Sequence, residues 1–253
     1  MRFRFVVFAC LFGVLSVCFC GCVSTPSSAE IAFAEVAAKS HDAVTPQTQK
    51  APWAKSWWMG RHNEVNARVQ QGNVDLIMIG DSITHHWDKE VWAKYYEPRN
   101  AVNMGFGGDR TQHVLWRLDN GHLEGISPKL AVVMIGTNNS GKNTAEEIAD
   151  GIIAVCGRVR AKLPKTKILL LAIFPRGNID EPKRTVNAKA SEIASKIADG
   201  KMIHYMNIND KFLQEDGTLS REIMSDLLHP TKKGYTIWAE AVEAKVIELM
   251  EEK

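Results

Sequence analysis

The chain has 253 residues, of which 45% are hydrophobic and 24% are charged, as in a globular protein with a full core. It has 31 basic and 29 acidic residues, and the two signs balance once Arg2 and Arg4 of a candidate targeting segment are left out. A balanced chain lacks the basic excess typical of nucleic-acid-binding proteins, so no nucleic-acid partner is expected.

The first 21 residues have the pattern of a secretory signal. Arg2 and Arg4 precede an apolar run that extends from residue 5 to residue 20. This run is shorter than the roughly 20 residues that a membrane-spanning helix needs, although a transmembrane anchor is the alternative. We interpret residues 1–21 as a signal peptide and expect the protein to be exported.

Four of the five cysteines lie in or just after this segment. Gly21-Cys22, followed by residues 23–26, is similar to the lipoprotein processing site of bacteria, which would make Cys22 the lipidated first residue. The expected location is therefore the cell envelope, with membrane attachment through Cys22, and simple secretion is the alternative. Cys156 lies in an apolar stretch and is expected to be a buried thiol, so no disulfide framework is predicted.

Residues 22–52 are rich in Ser, Thr, Ala and Pro and have little periodic apolar pattern. We predict a flexible tether between the lipid and a folded domain of residues 53–253, with a turn or two of helix at residues 31–38. A helix is then predicted before Gly72, because apolar side chains recur at helical spacing: Trp53, Trp57, Trp58, Val65 and Val69. These tryptophans are expected to pack on a sheet, and an aromatic platform for sugars is the alternative.

An apolar run at residues 76–79 ends abruptly in Gly80-Asp81-Ser82. Its length and branched content predict a buried parallel strand, and Gly80 permits a sharp turn after it. Ser82 would then lie at the carboxyl end of a strand, where open α/β sheets bind ligands. A serine there can be a nucleophile if a base and an oxyanion site exist elsewhere, and an ordinary N-capped turn is the alternative.

Paired histidines follow shortly after Ser82. His85 and His86 are adjacent, and no carboxylate follows at the spacing of a zinc site. We therefore predict no metal and expect these imidazoles to line a pocket beside Ser82. Arg61 and His62 of the preceding helix are expected to have structural roles, although they could reach the rim of that pocket.

Further strands are predicted at residues 101–104, 130–135, 168–173 and 202–206, with helices at residues 111–118, 144–163, 182–199 and 231–250. This alternation predicts parallel βαβ units in a three-layer α/β/α sandwich. The loop at residues 105–109 lacks the glycine pattern of a nucleotide site, so its small residues could instead direct backbone N–H groups into a pocket.

Two more polar groups complete a candidate site. Asn138 follows a strand and a glycine, and its side-chain amide is a competent oxyanion donor, although an Asn in an ordinary turn is the alternative. Asp226 and His229 are three residues apart, which in a tight turn lets a carboxylate meet Nδ1 of the imidazole. This spacing is weak evidence by itself, since it also occurs by chance in loops.

Together these four stretches resemble the sequence blocks of the SGNH, or GDSL-type, esterase family, and the resemblance extends from about Trp57 to Leu249. The stretch from Asn103 to Leu118 is especially similar to catalytic subunits of intracellular platelet-activating-factor acetylhydrolases and their bacterial relatives. Those relatives include carbohydrate acetylesterases. The resemblance implies a five-stranded parallel sheet in flavodoxin-like order.

The family's site residues can be placed on this chain one by one. The resemblance implies Ser82 as nucleophile, His229 as base and Asp226 as the acid of the triad, with an oxyanion hole made by Ser82, Gly108 and Asn138. It implies an ester hydrolase without metal or organic cofactor that releases a short acyl group, most simply acetyl, from a small molecule or glycan. The alternatives are a lipid-directed acylhydrolase and an inactive glycan-binding module. The oligomeric state stays open, with a homodimer among the options.

Overall fold

A computed structural model of the protein describes residues 26–251. In chain order, its helices span Ser28–Ala37 (α1), Trp58–Gln70 (α2), Ser82–His85 (α3), Lys89–Tyr95 (α4), Thr111–Arg117 (α5), Ala145–Lys162 (α6), Pro182–Ser195 (α7) and Lys232–Met250 (α8). The strands span Leu76–Gly80 (β1), Ala101–Gly105 (β2), Leu130–Met134 (β3), Lys167–Leu171 (β4) and Ile203–Met206 (β5). The predicted signal peptide and Cys22 lie outside the described residues.

The strands form one parallel sheet in the order β2-β1-β3-β4-β5. This confirms the α/β class and the flavodoxin-like order, and all the predicted strands are present. Gly80 at the end of β1 is level with Gly105 of β2 and Met134 of β3. The strand order reverses direction between β1 and β3, which is the point where such sheets bind ligands.

Alternate residues of the strands contribute side chains to two hydrophobic cores, one on each face of the sheet. Ile77 and Ile79 of β1 belong to the core beneath α2, α5, α6 and α7, whereas Leu76 and Met78 belong to the core beneath α3, α4 and α8. All five residues of β1 and of β3 are buried, because helices cover both faces. The predicted three-layer sandwich is therefore confirmed.

The segment before the predicted domain is packed against it. Helix α1 begins at a capping box between Ser27 and Glu30, and Val36 is buried against α6. The hydroxyl of Thr111 donates to the carbonyl oxygen of Ala43 at 2.7 Å. The prediction of a flexible tether is therefore wrong from residue 27 onward, because a few apolar side chains on one face of a short helix suffice to dock it.

The long connection at residues 207–228 is also folded into the domain. It contains a 3₁₀ turn at Asn209–Phe212, and Phe212, Leu219 and Met224 are buried in the core beneath α8. These buried side chains anchor the connection, which contains Asp226 near its end. Within residues 26–251, no helix is long and apolar enough to cross a membrane.

Smaller differences concern the ends of elements. The helix predicted around the tryptophans begins only at Trp58, and Trp53 lies in a separate 3₁₀ turn. Helix α4 was not predicted, since its seven residues show no clear apolar face at helical spacing. Cys156 is a fully buried, free thiol in α6, as predicted. Burial raises the pKa of this thiol to about 12.

Candidate active site

Ser82 is the first residue of α3, directly after β1. The carboxylate of Asp81 caps this helix by accepting from the backbone N–H of Ile83 at 3.0 Å. Gly80 is required by close packing, since a Cβ there would lie 2.7 Å from the carbonyl oxygen of Met134. Ser82 is 8% exposed, so its hydroxyl is held at the surface of the cavity rather than in bulk water.

The structure brings Ser82, His229 and Asp226 into one hydrogen-bonded chain. The Ser82 hydroxyl lies 2.8 Å from Nε2 of His229, and Nδ1 of His229 lies 2.7 Å from Oδ2 of Asp226. With the Asp226 carboxylate ionised, Nδ1 donates to it, which leaves Nε2 as an acceptor for the serine proton.

A tight turn positions Asp226 and His229. Oδ1 of Asp226 accepts from the backbone N–H groups of Leu228 and His229, at 3.0 and 2.7 Å. Leu227 between them has a left-handed backbone, with φ of 60°, and its carbonyl oxygen accepts from Gly177 at 2.8 Å. A branched residue rarely adopts this conformation, so the turn is held by its hydrogen bonds.

These contacts also determine the charge of Asp226. Partial burial opposes the charged carboxylate, but hydrogen bonds from the backbone N–H and the imidazole of His229 outweigh it and lower the pKa of Asp226. The group is therefore ionised at neutral pH. The His229 and Asp226 side chains are 35% and 54% exposed, so this part of the site is in contact with solvent.

The predicted oxyanion donors line the same cavity as Ser82 and His229. Gly108 follows β2 with φ of 68°, a conformation that favours glycine. The side-chain amide of Asn138 donates one hydrogen to the carbonyl oxygen of Asp109 at 3.0 Å, and its amide has a second hydrogen. Ser82, Gly108, Asn138 and His229 thus line one cavity of about 560 Å³, and Asp226 reaches this cavity through its hydrogen bond to His229.

A buried arginine supports this part of the site, and we did not predict it. The guanidinium of Arg117 donates to the carboxylate of Asp109 at 2.8 Å and to the carbonyl oxygens of Met104 and Gly80 at 3.1 and 3.4 Å. Trp58 donates to the other oxygen of that carboxylate at 2.7 Å. One side chain thus ties together the ends of β1 and β2 and the loop that contains Gly108.

Asp109 and Arg117 are both fully buried. Burial raises the pKa of Asp109 to about 6, while Arg117 and the indole of Trp58 oppose that rise. The carboxylate is therefore ionised at neutral pH and forms a buried ion pair. An Asp eight residues before an Arg has no recognisable sequence signature, so only the folded chain reveals the pair.

Arg61 and His62 have structural roles, as expected. Arg61 donates to the carbonyl oxygen of Gly105 at 2.8 Å. His62 is buried and hydrogen-bonded to His122 at 3.1 Å, and His122 contacts Arg117 at 3.1 Å. These groups lie behind the glycine loop rather than in the cavity.

The other side of the cavity is aromatic. Trp53 and Trp57 line it together with His85 and His86, which corrects the prediction that all the tryptophans pack on the sheet. Of Trp53, Trp57 and Trp58, only Trp58 is buried. His85 and His86 line the pocket as expected, and no cluster of three or more His, Cys, Asp or Glu side chains that could hold a metal occurs among residues 26–251.

Comparisons with known proteins define the class. Residues 78–237 match the GDSL-like Lipase/Acylhydrolase family. The chain is 36% identical over 216 residues to platelet-activating factor acetylhydrolase IB subunit alpha2 of Homo sapiens, covering 84% of this chain and 93% of that protein. The chain therefore belongs to the GDSL-like lipase/acylhydrolase family, and it is a carboxylic ester hydrolase.

Solved structures share the fold. A GDSL-like lipase from Bacteroides thetaiotaomicron superimposes with a TM-score of 0.59 at 18% identity, over 75% of this chain and 97% of that one. The carbohydrate acetylesterase Est24 from Sinorhizobium meliloti superimposes with a TM-score of 0.55 at 18% identity, over 70% and 100% of the two chains. At such identities the likeness concerns the fold alone.

Proposed function

We propose that the protein hydrolyses short acyl esters of carbohydrates, most simply acetyl esters, with Ser82, His229 and Asp226 as its catalytic triad. The observation that supports this best is the hydrogen-bonded chain from the Ser82 hydroxyl to the Asp226 carboxylate, with contacts of 2.8 and 2.7 Å. It lies in the same cavity as Gly108 and Asn138, so nucleophile, base and oxyanion donors surround one space.

In the proposed mechanism, the Ser82 oxygen attacks the ester carbonyl while Nε2 of His229 takes its proton. The negative charge that develops on the carbonyl oxygen is stabilised by the backbone N–H groups of Ser82 and Gly108 and by the Asn138 amide. His229 then protonates the departing alcohol. A water molecule, deprotonated by His229, attacks the acyl-serine and releases the acid.

The shape of the cavity supports a short acyl group. Its apolar lining consists of Trp53, Trp57 and Leu228. A long acyl chain needs a deep apolar channel, in which each buried methylene is worth about 0.8 kcal/mol. Here the connection at residues 207–228 contributes only Leu228 to this lining and buries Phe212, Leu219 and Met224 in the core, so it provides no such channel.

The test of acyl length is kcat/KM for p-nitrophenyl acetate, butyrate, octanoate and palmitate. We expect the value to be highest for acetate and to fall by butyrate or octanoate. A maximum at octanoate or longer would refute the short-acyl proposal and favour a lipid-directed acylhydrolase.

The charge of the cavity supports a carbohydrate as the alcohol. No Asp, Glu, Lys or Arg occurs among the described residues that line it, so no cationic side chain is present to bind a phosphate. Est24, which shares the fold, is a carbohydrate acetylesterase. The second candidate is an acetylated phospholipid, which the name of the human relative favours. Acetate release from acetylated xylooligosaccharides and from acetylated phospholipids decides between them.

The role of Ser82 is tested by covalent labelling. A fluorophosphonate should form one adduct, and peptide mapping should place it on Ser82. Ser82→Ala should abolish both labelling and turnover while the thermal unfolding midpoint stays near that of the wild type. Labelling of another serine, or more than a few per cent of wild-type kcat in Ser82→Ala, would refute the triad.

We further propose that the protein is exported and attached to the membrane of the cell envelope through a lipid on Cys22. The support is the basic and apolar pattern of residues 1–21 followed by Gly21-Cys22. Cys22→Ser should move the protein from the membrane fraction to a soluble or uncleaved form. If labelled palmitate does not enter the wild-type protein in a bacterial host, secretion without a lipid is the better interpretation.

A further inference from the structure

Trp53 and Trp57 form an aromatic wall on one side of the candidate active site. Their rings are stacked, with centroids 6.2 Å apart and planes inclined by 24°. The wall lies directly on the loop that supplies the predicted oxyanion donor, since a Cβ on Gly108 would come within 2.3 Å of the Trp53 ring. Trp53 is nevertheless 53% exposed and lines the cavity, so part of the wall is accessible to solvent.

Several contacts hold the aromatic wall in place. The ring of Trp57 stacks on Phe106 at 6.5 Å and lies 5.7 Å from the ring of His85. Gln49, four residues before Trp53, donates to the carbonyl oxygen of Gly108 at 3.3 Å and accepts from the backbone N–H of Ala51 at 3.1 Å. The segment that leads to Trp53 is therefore fastened to the same loop. A fixed, open apolar surface beside reactive groups is typical of a ligand site.

The polar groups near the wall are uncharged. Nδ1 of His85 accepts from the backbone N–H of Gly107 at 3.2 Å, which places the proton of the neutral ring on Nε2. Burial, together with nearby Arg61, lowers the pKa of His85 to about 3, and burial also lowers the pKa of His86. The cavity thus combines apolar ring faces with neutral hydrogen-bonding groups.

We propose that the aromatic wall of Trp53 and Trp57 is a subsite for a neutral pyranose ring, the sugar whose ester Ser82 attacks. One face of a pyranose presents C–H groups that can pack on an indole, and its hydroxyl groups can bond to His85 and His86. This inference rests on the proposed function, because it assigns the alcohol part of that substrate.

A quaternary ammonium group is the other ligand that favours tryptophan rings. In that case a carboxylate at the rim would help to bind the cation. None occurs among the described residues that line the cavity, and Asp226 is already paired with His229. The neutral lining therefore favours the sugar ring.

The experiment measures binding without turnover, in the Ser82→Ala background. Calorimetry with mono-acetylated xylotetraose should give a dissociation constant that rises about tenfold or more when Trp53→Ala is added, since packing on an aromatic ring is lost. With Trp53→Phe, which keeps a smaller ring, the dissociation constant should lie between the values with Trp53 and with Trp53→Ala. Met59→Ala is the matched control, because Met59 is also an exposed apolar side chain but does not line the cavity.

Turnover provides the second measurement. In the wild-type background, the ratio of kcat/KM for acetylated xylotetraose to kcat/KM for ethyl acetate should fall by a similar factor in Trp53→Ala and stay constant in Met59→Ala. Ethyl acetate has no ring, so the ratio isolates the contribution of the sugar. A drop of both rates in equal proportion would indicate damage to the reaction centre and overturn the subsite.

The outcomes separate the subsite from the hydrolase function. Equal sugar affinity with and without Trp53, in an enzyme that still cleaves ethyl acetate through Ser82, overturns the subsite and leaves the hydrolase in place. If tetramethylammonium binding depends on Trp53 and sugar binding does not, the sugar subsite is overturned in favour of a cation site. Absence of ethyl acetate hydrolysis by the wild type refutes the proposed function itself.

Discussion

The two halves of the candidate active site are held in place by different means. The oxyanion half, with Gly108 and Asn138, is tied from beneath by the fully buried guanidinium of Arg117, which joins two strand ends and the carboxylate of Asp109. The acid–base half is a solvent-exposed turn whose geometry comes from the hydrogen bonds of Asp226 to its own neighbours. Buried side chains hold the first half, whereas the second depends mainly on hydrogen bonds within its own turn, with Gly177 as a contact from elsewhere in the chain.

This difference predicts how substitutions divide between stability and rate. Groups in the buried half support both the core and the reaction, so their loss should affect both quantities. Groups in the exposed half should affect the reaction alone, since little of the fold depends on them.

The largest effect is expected for Asp226→Asn. The Asn oxygen can still accept from the backbone N–H groups of the turn, but its amide would face Nδ1 of His229 and favour the tautomer that protonates Nε2. We expect kcat to fall by about 10³–10⁴-fold with an unchanged unfolding midpoint. Steady-state kinetics and thermal denaturation check this. A large loss of stability would show that the fold does depend on this turn.

Arg117→Met should have its main effect on stability. It leaves the Asp109 carboxylate buried without its partner, which typically costs about 3–5 kcal/mol. The matched control is Arg158→Met, which breaks the half-exposed ion pair with Asp119 and should cost about 0–1 kcal/mol. Urea titration gives both values. Equal costs for the two variants would show that the buried pair does not support the oxyanion half.

Asn138→Ala should lower kcat by about 10²–10³-fold with a smaller change in KM, because an oxyanion donor acts mainly in the transition state. It should also cost some stability, since the amide joins its loop to the carbonyl oxygen of Asp109. The kinetic part is measured with p-nitrophenyl acetate. An unchanged kcat would reduce Asn138 to a residue of an ordinary turn.

The smallest effect concerns pH. Burial raises the pKa of Asp81 to about 7, against about 4 in an unfolded chain. The folded state therefore binds a proton that the unfolded state releases, so the resulting stability is complete below about pH 4 and is lost as the pH rises through 7. Asp81→Asn should remove this loss, on the order of 1–3 kcal/mol between pH 5 and 8. An exposed control, Asp216→Asn, should keep this loss of stability with rising pH.

Prediction from the sequence worked where a local pattern determines the structure. The apolar runs located the strands, and the glycines that follow them indicated the loops that meet at the site. Asp226 and His229 could be paired because three residues of a turn bring them together.

The parts that were missed depend on contacts between distant residues. Arg117 lies among apolar positions of α5. Its role could not be predicted, because its partners Asp109 and the strand ends meet it only in the folded chain. Trp53 was assigned to the core because its spacing fits a helix, whereas the chain bends at a 3₁₀ turn and directs it into the cavity. A turn or two of helix was predicted at residues 31–38, but composition did not reveal that α1 packs on the domain through Val36.

The docking of α1 also determines how far the enzyme can reach. If Cys22 holds the lipid, the chain between that anchor and the capping residue Ser27 has only a few residues, which even when fully extended span about 17 Å. A tether that stayed unfolded to residue 52 would have let the enzyme search a wide volume. With the lipid on Cys22, the docked segment would instead confine it to a layer next to the membrane, where esters within that layer are in reach and distant ones must diffuse to it.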